Sequence, residues 1–599
     1  MIRQPLAAAL KAALQQAVAD GALPLSEIPE PVLETPRNAA FGDVATNLAM
    51  TLAKPAKMAP KAIAEAIISR LQDPMIASAE IAMPGFLNIR LSNDWLQREV
   101  VGRTHGQGDD FGKSDVGQGQ KVQIEYVSAN PTGPLHIGHG RNAALGSAIA
   151  NLLRFTNYNV SEEFYINDFG NQLTLLGISL LIRTLQQLGA DVPMPKNGYG
   201  GDFISECAEL AETRQALEAA GLADFLQQHA KGLAERLQPY KAEDLPGDPA
   251  LIDQLFAGAT NLVEAATDAG RAAFLSYQQR VLQRFGCHFD TWFSERTLHA
   301  ANKVVGAIEE LDRRGYVFEA EGAKWFKSTA FGDDKDRVLI RKDGRPTYIA
   351  GDIAYHLDKY SRGFDEYINI WGADHHGDVA RLKGALKALD CDPDKLNVIL
   401  YQMVNLYRGG VPVRMSKRTG EMVTLGELID EVGVDAARYF LVLRQADSPV
   451  EFDIDLAKKE ASDNPVFYVQ YAHARICSIG RMAQSQMPGL AGADQANVSL
   501  LTDESERALL LRLASFGDEV AEAARQHEPY RLLRYAELVA TDFHGFYTRC
   551  RVLDPANPEL SAARLALSNA VRTVLANLLE QIVGVSAPQA MEKREEATA

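Results

Sequence analysis

The sequence predicts a multidomain α/β chain: a parallel-sheet domain with an insertion, a small α/β domain before it and an all-helical domain after it. Three observations carry this. Two strand, loop, helix units lie far apart, a glycine-rich stretch closes the first hundred or so residues, and strand signals stop after about residue 458. A length of 599 residues calls for about three or four domains, each able to bury its own core.

Taken in order, the chain opens on Leu6, Leu10, Leu14 and Val18 at helical spacing, with Lys11, Gln15 and Gln16 interrupting any signal-peptide type of apolar run. An apolar fraction of 46% and a charged fraction of 23% argue against long disorder, fibres or membrane spans. Cys207, Cys287, Cys391, Cys477 and Cys550 are scattered and form no C-x-x-C pair, so neither a disulfide framework nor a structural zinc is indicated. A cytoplasmic protein is expected. The net charge of -17 taken alone favours a metabolic enzyme over a nucleic-acid binder, although a local basic face is compatible with an acidic total.

Val101 to Gln120, with Gly102, Gly106, Gly108, Gly112, Gly117 and Gly119, reads as a linker closing an N-terminal domain near residue 110. Val122, Ile124 and Tyr126 then alternate as a strand, and a loop with Pro131, Gly133 and Pro134 leads into a helix near Gly138. A second such unit runs from Tyr367–Trp371 through Gly372, Ala373 and Asp374 to a helix with Val379, Leu382 and Leu386. The stretch of roughly 175–335 is expected to be a helical insertion between two halves of the sheet. Stripes such as Leu509, Leu513, Phe516, Val520 and Leu567, Val571, Leu575, Leu578, Ile582 predict a helical bundle, with Lys593 to Ala599 a frayed charged tail.

Two motifs carry chemistry. His136-Ile137-Gly138-His139 ends the run Ala129-Asn130-Pro131-Thr132-Gly133-Pro134-Leu135 at a strand-to-helix turn. Free N–H groups and the positive end of a helix dipole, with two imidazoles one turn apart, suit phosphate oxygens, and glycine between them lets a flat base approach the backbone. The bland alternative is two histidines capping a helix. Arg414-Met415-Ser416-Lys417-Arg418, between Gly409-Gly410 and Gly420, makes a cationic loop that can clamp a polyphosphate leaving group, against the alternative of a solvated basic hairpin.

The two motifs in this order resemble those of class I aminoacyl-tRNA synthetases. The resemblance narrows to the arginyl-tRNA synthetase family through Tyr348-Ile349-Ala350-Gly351-Asp352, Trp371-Gly372-Ala373-Asp374-His375-His376-Gly377, Gly433 to Phe440 and Val469 to Arg475. It includes an N-terminal domain with Phe41-Gly42-Asp43 and Pro84-Gly85-Phe86-Leu87-Asn88. It implies a Rossmann-like catalytic domain over 111–458, an additional domain over 1–110 that touches the transfer RNA elbow, and a helical anticodon-binding domain over 459–599. His136, His139, Arg414, Ser416 and Lys417 are the implied catalytic set. Gly138, Gly372, Asp374, His376, Met403 and Val404 would bind ATP, and Glu125, Ser128, Asn130, His136, Tyr348, Asp352 and Asp374 would bind arginine. Glu125 and Asn130 match positions near the amino and carboxyl groups. Asp374 stands where some relatives have glutamine. Many relatives lack the lysine equivalent to Lys417 and carry one just before the histidine motif; here that position is Gly133 and Lys417 is kept.

Planar, permanently charged arginine calls for carboxylates and hydroxyls in a fixed arrangement, and Asp352 and Tyr348, four residues apart in a helical turn, can face one pocket. The implied reaction uses Mg2+-complexed ATP as substrate, no tightly bound cofactor and no metal held by protein. Its partners are arginine, ATP and tRNA(Arg), the chain acting as a monomer, with activation requiring bound RNA. A small-molecule nucleotidyltransferase would leave both terminal domains unexplained. A non-catalytic RNA-binding paralogue would not need His136, His139 and Lys417.

Overall fold

Val44–Thr46 (β1), Ile76–Ala82 (β2) and Phe86–Leu91 (β3) form an antiparallel sheet in the order β1-β3-β2, backed by the helices Arg3–Ala19, Leu48–Ala56 and Pro60–Ile68. Leu6, Leu10 and Leu14 are fully buried, as their helical spacing predicts. The computed structural model describes residues 2–36, 38–241, 245, 249–413 and 423–591. They divide into two units, one of Met1–Gly117, Asn151–Asn157 and Lys459–Ala599, the other of Gln118–Ala150 and Tyr158–Lys458.

Within the first unit the N-terminal sheet packs on the C-terminal helices, and this changes the reading of the glycine-rich boundary. Residues Asn93–Gln107 are helical, with a π-helical turn at Arg98–Gly102. Gly102 and Gly106 sit where a side chain would meet nothing, whereas Val100, Val101 and Thr104 are buried. Glycine content suggested a linker, but these three residues beside the glycines form a buried helix face. Phe111 is fully buried and stacks on Phe516, and a Cβ on Gly112 would lie 2.3 Å from the Phe516 ring. The Asn577 amide donates to the carbonyls of Gly108 and Phe111 at 3.0 Å each. The two glycine motifs of the N-terminal domain are structural: a Cβ on Gly42 would sit 2.8 Å from the Ile89 carbonyl, and one on Gly85 would sit 2.5 Å from Pro60.

Asp43 joins the sheet to the bundle. Its buried carboxylate accepts from the Leu91 N–H at 2.7 Å and from both terminal nitrogens of Arg507 at 3.1 and 2.7 Å. Breaking such a pair strands a buried charge, so Arg507→Ala should cost about 3 kcal/mol. Urea unfolding measures it; a change below about 0.5 kcal/mol would rank the pair with surface ion pairs.

The C-terminal helices are Pro465–Gln486, Glu504–Ala514, Phe516–Gln526, Tyr530–Arg549 and Pro558–Ala576, the last running into a π turn at Asn577–Val583. Leu567, Val571, Leu575, Leu578 and Ile582 are fully buried. The stripe of Leu509, Leu513, Phe516 and Val520 is buried too, but it crosses from one helix to the next at Ser515. Gln470 and His473 hold the chain that follows the bundle, bonding the carbonyls of Ser586 (2.9 Å) and Pro588 (3.0 Å). The tail from Lys593 lies outside the described residues.

The second unit is built on a parallel sheet of Lys121–Glu125 (β4), Asn159–Ile166 (β5), Thr291–Ser294 (β6), Glu366–Gly372 (β10) and Leu396–Tyr401 (β11), in the order β11-β10-β4-β5-β6. Val317–Ala320 (β7), Ala323–Phe326 (β8) and Arg337–Ile340 (β9) form a small antiparallel sheet, and Val404–Arg408 (β12), Val411–Pro412 (β13) and Val450–Asp453 (β14) another. The stretch of 175–335 is therefore not wholly a helical insertion. Its helices, including Asn171–Gln187 and Thr260–Arg284, pack around a core of their own, yet β6 is an edge strand of the main sheet and β7 and β8 follow it. Strands of four residues leave too short an alternation to read. β4 is buried on both faces from Val122 to Glu125, as a central parallel strand must be. The chain winds one way from β4 through β5 to β6 and the other way through β10 to β11, so the order reverses between β4 and β10. Ligand crevices of open parallel sheets lie at such a point, outside the carboxyl ends of the strands.

Candidate active site

At the carboxyl end of β4 the backbone leaves the strand through Val127 (φ 67°) and Ser128 (φ 43°), two consecutive non-glycine residues in the left-handed region. Such strain persists only where neighbours enforce it. Asn142 does so, accepting from the Val127 N–H at 3.0 Å and donating to the Ile370 carbonyl on β10 at 2.9 Å. Ser128 is thereby aimed back, and its hydroxyl donates to Glu125 at 2.9 Å. The loop beyond is fixed by Gln278, fully buried on the Thr260–Arg284 helix, whose amide donates to the carbonyls of Asn130 (3.0 Å) and Gly133 (2.9 Å). Asn130 itself donates to Gln172 at 2.6 Å.

His136 precedes the helix Ile137–Phe155, and its ring stacks on that of His139 with centroids 3.7 Å apart. The Nδ1 of His136 accepts from the N–H groups of Gly138 (3.1 Å) and His139 (3.4 Å), and the Nδ1 of His139 accepts from the His136 N–H at 3.2 Å. Acceptance at Nδ1 puts the ring proton of each neutral imidazole on Nε2. Each ring therefore carries its proton on Nε2, while two of the helix's first N–H groups, expected to be open to phosphate, are used by the His136 ring. The role of Gly138 changes accordingly: a Cβ there would lie 2.9 Å from the His136 ring, so glycine makes room for the imidazole.

Arg414, Ser416 and Lys417 lie outside the described residues. The chain that follows them, however, returns to the histidines: Thr424 bridges to His136 and the Leu425 N–H donates to the Leu135 carbonyl at 2.7 Å. Thr424 and Glu427 form a capping box that starts the Leu425–Val432 helix at that spot.

Under the strand ends lies a buried polar chain. Lys359, fully buried, donates to Glu125 and, at 2.9 Å, to Asn369 on β10, whose amide meets His356 at 2.8 Å. Burial raises the Glu125 carboxyl more than any single neighbour lowers it, but the Lys359 ammonium, His356 and the Ser128 hydroxyl together hold it below the usual range. Burial and the same ammonium pull His356 down to about 3, which keeps it neutral. Tyr348 and Asp352 stand one turn apart on the solvent-facing side of the Tyr348–Ser361 helix. Water reaches Asp352, yet its recess in the protein, together with Glu295, Asp378 and Glu125, pushes its carboxyl up to about 7. Glu295, at the end of β6, is a carboxylate the sequence patterns did not single out; a distance of more than 160 residues from Glu125 hides it from any local motif.

On the β10 side, Asp374 folds over Gly372, where a Cβ would lie 2.4 Å from its oxygen, and His376 opens the helix His376–Ala388, exposed. Met403 is exposed, while the Val404 side chain is buried at the start of β12, so only its backbone can face a ligand. Arg141, buried on the histidine helix, holds this edge by donating to the carbonyls of Gln402 (2.6 Å), Gln445 (2.8 Å) and Ser448 (2.8 Å). Burial pulls its guanidinium down to about 10.

The chain matches three family models in sequence: the arginyl tRNA synthetase N terminal domain over 4–91, the catalytic domain of class I (R) tRNA synthetases over 107–195 and 268–457, and the DALR anticodon binding domain over 469–591. It is 47% identical to the arginine–tRNA ligase of Moorella thermoacetica across 98% of this chain and 99% of that one. The chain belongs to the arginyl-tRNA synthetases. A 46% identical ligase from Desulforamulus reducens covers the same shares. Among solved structures, a putative arginyl-tRNA synthetase from Campylobacter jejuni superposes with a TM-score of 0.71 at 32% identity, covering 84% of this chain and 100% of that one. The Thermus thermophilus enzyme gives 0.71 at 23% identity over 99% and 100%, a likeness of fold. The catalytic model leaves residues 196–267 of this synthetase unmatched.

Proposed function

We propose that the crevice between β4 and β10 runs the arginine–tRNA ligase reaction with the residues described above. The enzyme activates arginine with ATP and transfers it to tRNA. An oxygen of the arginine carboxylate attacks the α-phosphorus, the bond to the bridging oxygen breaks, and pyrophosphate leaves with its electron pair. A terminal ribose hydroxyl of the RNA then attacks the adenylate carbonyl and AMP departs. The single observation that supports this assignment of residues is the stacked pair of His136 and His139, each accepting at Nδ1 from backbone N–H groups, beside Thr424, which bridges to His136 just after the segment bearing Lys417. Preorganised donors aimed at developing phosphate charge are the largest catalytic resource for such a step, which needs no covalent enzyme intermediate.

In this reading Lys417 and Arg414 hold the β and γ phosphates of Mg2+-complexed ATP, with Ser416 beside them. Gly372, Asp374, His376 and the backbone of Met403 and Val404 take the adenosine. Asp352 and Tyr348 receive the guanidinium, while Glu125, Ser128 and Asn130 lie toward the rest of the amino acid. The ion pair of Glu125 with Lys359 supports a carboxylate that stays ionised. Residues 1–110 read the RNA elbow and 459–599 the anticodon. The chain acts as a monomer in the cytoplasm; among the described residues no helix is long and apolar enough to cross a membrane. Pyrophosphate exchange with each amino acid, with and without RNA, tests the whole. Exchange is expected with arginine alone and only when tRNA(Arg) is present; exchange with another amino acid would move the specificity assignment.

A further inference from the structure

The loop 130–133 joins β4 to the histidine helix, and its own chemistry does little to fix it. Pro131 and Pro134 carry no N–H, so the carbonyls around them must find donors elsewhere. Those donors come from the helical stretch between β5 and β6. Gln278 spends both protons of its buried amide on the Asn130 and Gly133 carbonyls, at 3.0 and 2.9 Å, while its Oε1 meets no partner among the described residues. Reversing the amide would set its oxygen against two carbonyls, so the donor face is fixed. A buried oxygen left without a donor is a cost that packing alone gives no reason to accept.

Tyr199, in the unmatched stretch, meets the same loop from another side. Its hydroxyl bonds Thr132 and lies within electrostatic reach of Tyr348. Its backbone N–H donates to the Ser179 hydroxyl at 3.0 Å, and its ring packs on the cluster that includes Leu173, Leu176 and Phe274. Tyr277, next to Gln278, hydrogen-bonds Thr424, the residue bridged to His136. The helices beneath are in close contact: a Cβ on Gly177 would lie 2.0 Å from the Thr267 hydroxyl, and one on Gly270 would lie 3.2 Å from Leu176. We infer that Tyr199 and Gln278 are positioning residues for arginine activation, together setting the loop that carries Asn130 and delivers His136. Neither touches a substrate in the reading of the site on which this rests; each acts through the loop. A loop held at Asn130, Thr132 and Gly133 keeps the amino-acid contact and the stacked imidazoles at one spacing, and a displacement of about 1 Å at reacting groups can cost on the order of 100-fold in rate.

Arginine-dependent pyrophosphate exchange by the full-length protein, with tRNA(Arg) present, tests the pair. Gln278→Met, which keeps the volume and removes the donor, should lower kcat about tenfold or more while the Michaelis constant for ATP stays within about twofold of the parent. Tyr199→Phe keeps the ring and removes one hydroxyl, and should lower kcat about fivefold. Since both work through one loop, the double variant should be little slower than Gln278→Met alone. Turnover within about twofold of the parent in either single variant, losses that multiply in the double variant, or a Michaelis constant for ATP that rises as turnover falls would overturn the positioning roles. If Gln278→Met fails to fold, Tyr199→Phe decides alone by the same kcat and ATP readouts. A parent without arginine-dependent exchange would instead overturn the reading of the site beneath the inference.

Discussion

Lys417→Ala should lower the turnover of arginine activation on the order of 100-fold or more while leaving the Michaelis constant for arginine nearly unchanged. In the proposed role the lysine meets a leaving group whose negative charge grows only as the bond to the α-phosphorus breaks, so its loss would be felt in the transition state rather than in the ground-state complex. The environment supports the role from its edges. Upstream, the segment leaves the β12–β13 hairpin, whose turn residues Gly409 (φ 58°) and Gly410 (φ 72°) occupy the left-handed region; downstream it arrives at Thr424, bridged to His136. In the proposed role, a cation carried by the residues between these two points acts on the same triphosphate as the histidine pair. Single-turnover measurement of adenylate formation decides it: a rate within about threefold of the parent would take Lys417 out of the mechanism. Lys417→Arg is expected to recover part of the loss, since it keeps the charge but not its compact shape.

The motifs that announced this site were legible because they are local. Residues 129–139 sit on the loop after β4 and the helix start that follows it, and Tyr348 with Asp352 on one helical turn, so chain order alone puts each set together. What was hidden is the scaffold that makes them act. Gln278 lies 145 residues from the Gly133 carbonyl it holds, Arg141 is 304 from Gln445, and Lys359 is 234 from Glu125. No period or spacing encodes such contacts; they exist only once the sheet has formed. The misread linker has a related cause. Gly102 and Gly106 cost helix stability locally, but their neighbours Val100, Val101 and Thr104 are buried, and tertiary burial overrides propensity. The His136 ring illustrates the limit at the atomic scale: two histidines beside a helix start suggested phosphate donors, while their use of Nδ1 as acceptors, which fixes the proton on Nε2, required coordinates.

Asp352→Asn should raise the Michaelis constant for arginine strongly and leave that for ATP nearly unchanged, because the substitution keeps the volume and removes the charge proposed to face the guanidinium. The perturbed carboxyl adds a signature that a folding defect lacks. Its recess, with Glu295, Asp378 and Glu125, pushes the Asp352 carboxyl up to about 7. Below that pH a growing fraction is protonated and cannot pair with a cation, so kcat/KM for arginine should fall on the acid side with an apparent pKa near 7. Bound arginine supplies the missing positive charge and should shift the same limb downward in kcat. Both effects should vanish in Asp352→Asn. Stability runs the opposite way. The folded-state value lies above the ordinary 3.8, so between the two the native state holds more protons than the unfolded chain, and stability declines as pH rises through that window. Removing the charge lifts that penalty: Asp352→Asn should melt at a higher temperature than the parent at pH 8 and at about the same temperature near pH 3. Equal losses for arginine and ATP together with a lowered melting temperature at pH 8 would point to damage of the fold. An unchanged arginine constant would move the guanidinium pocket away from Asp352.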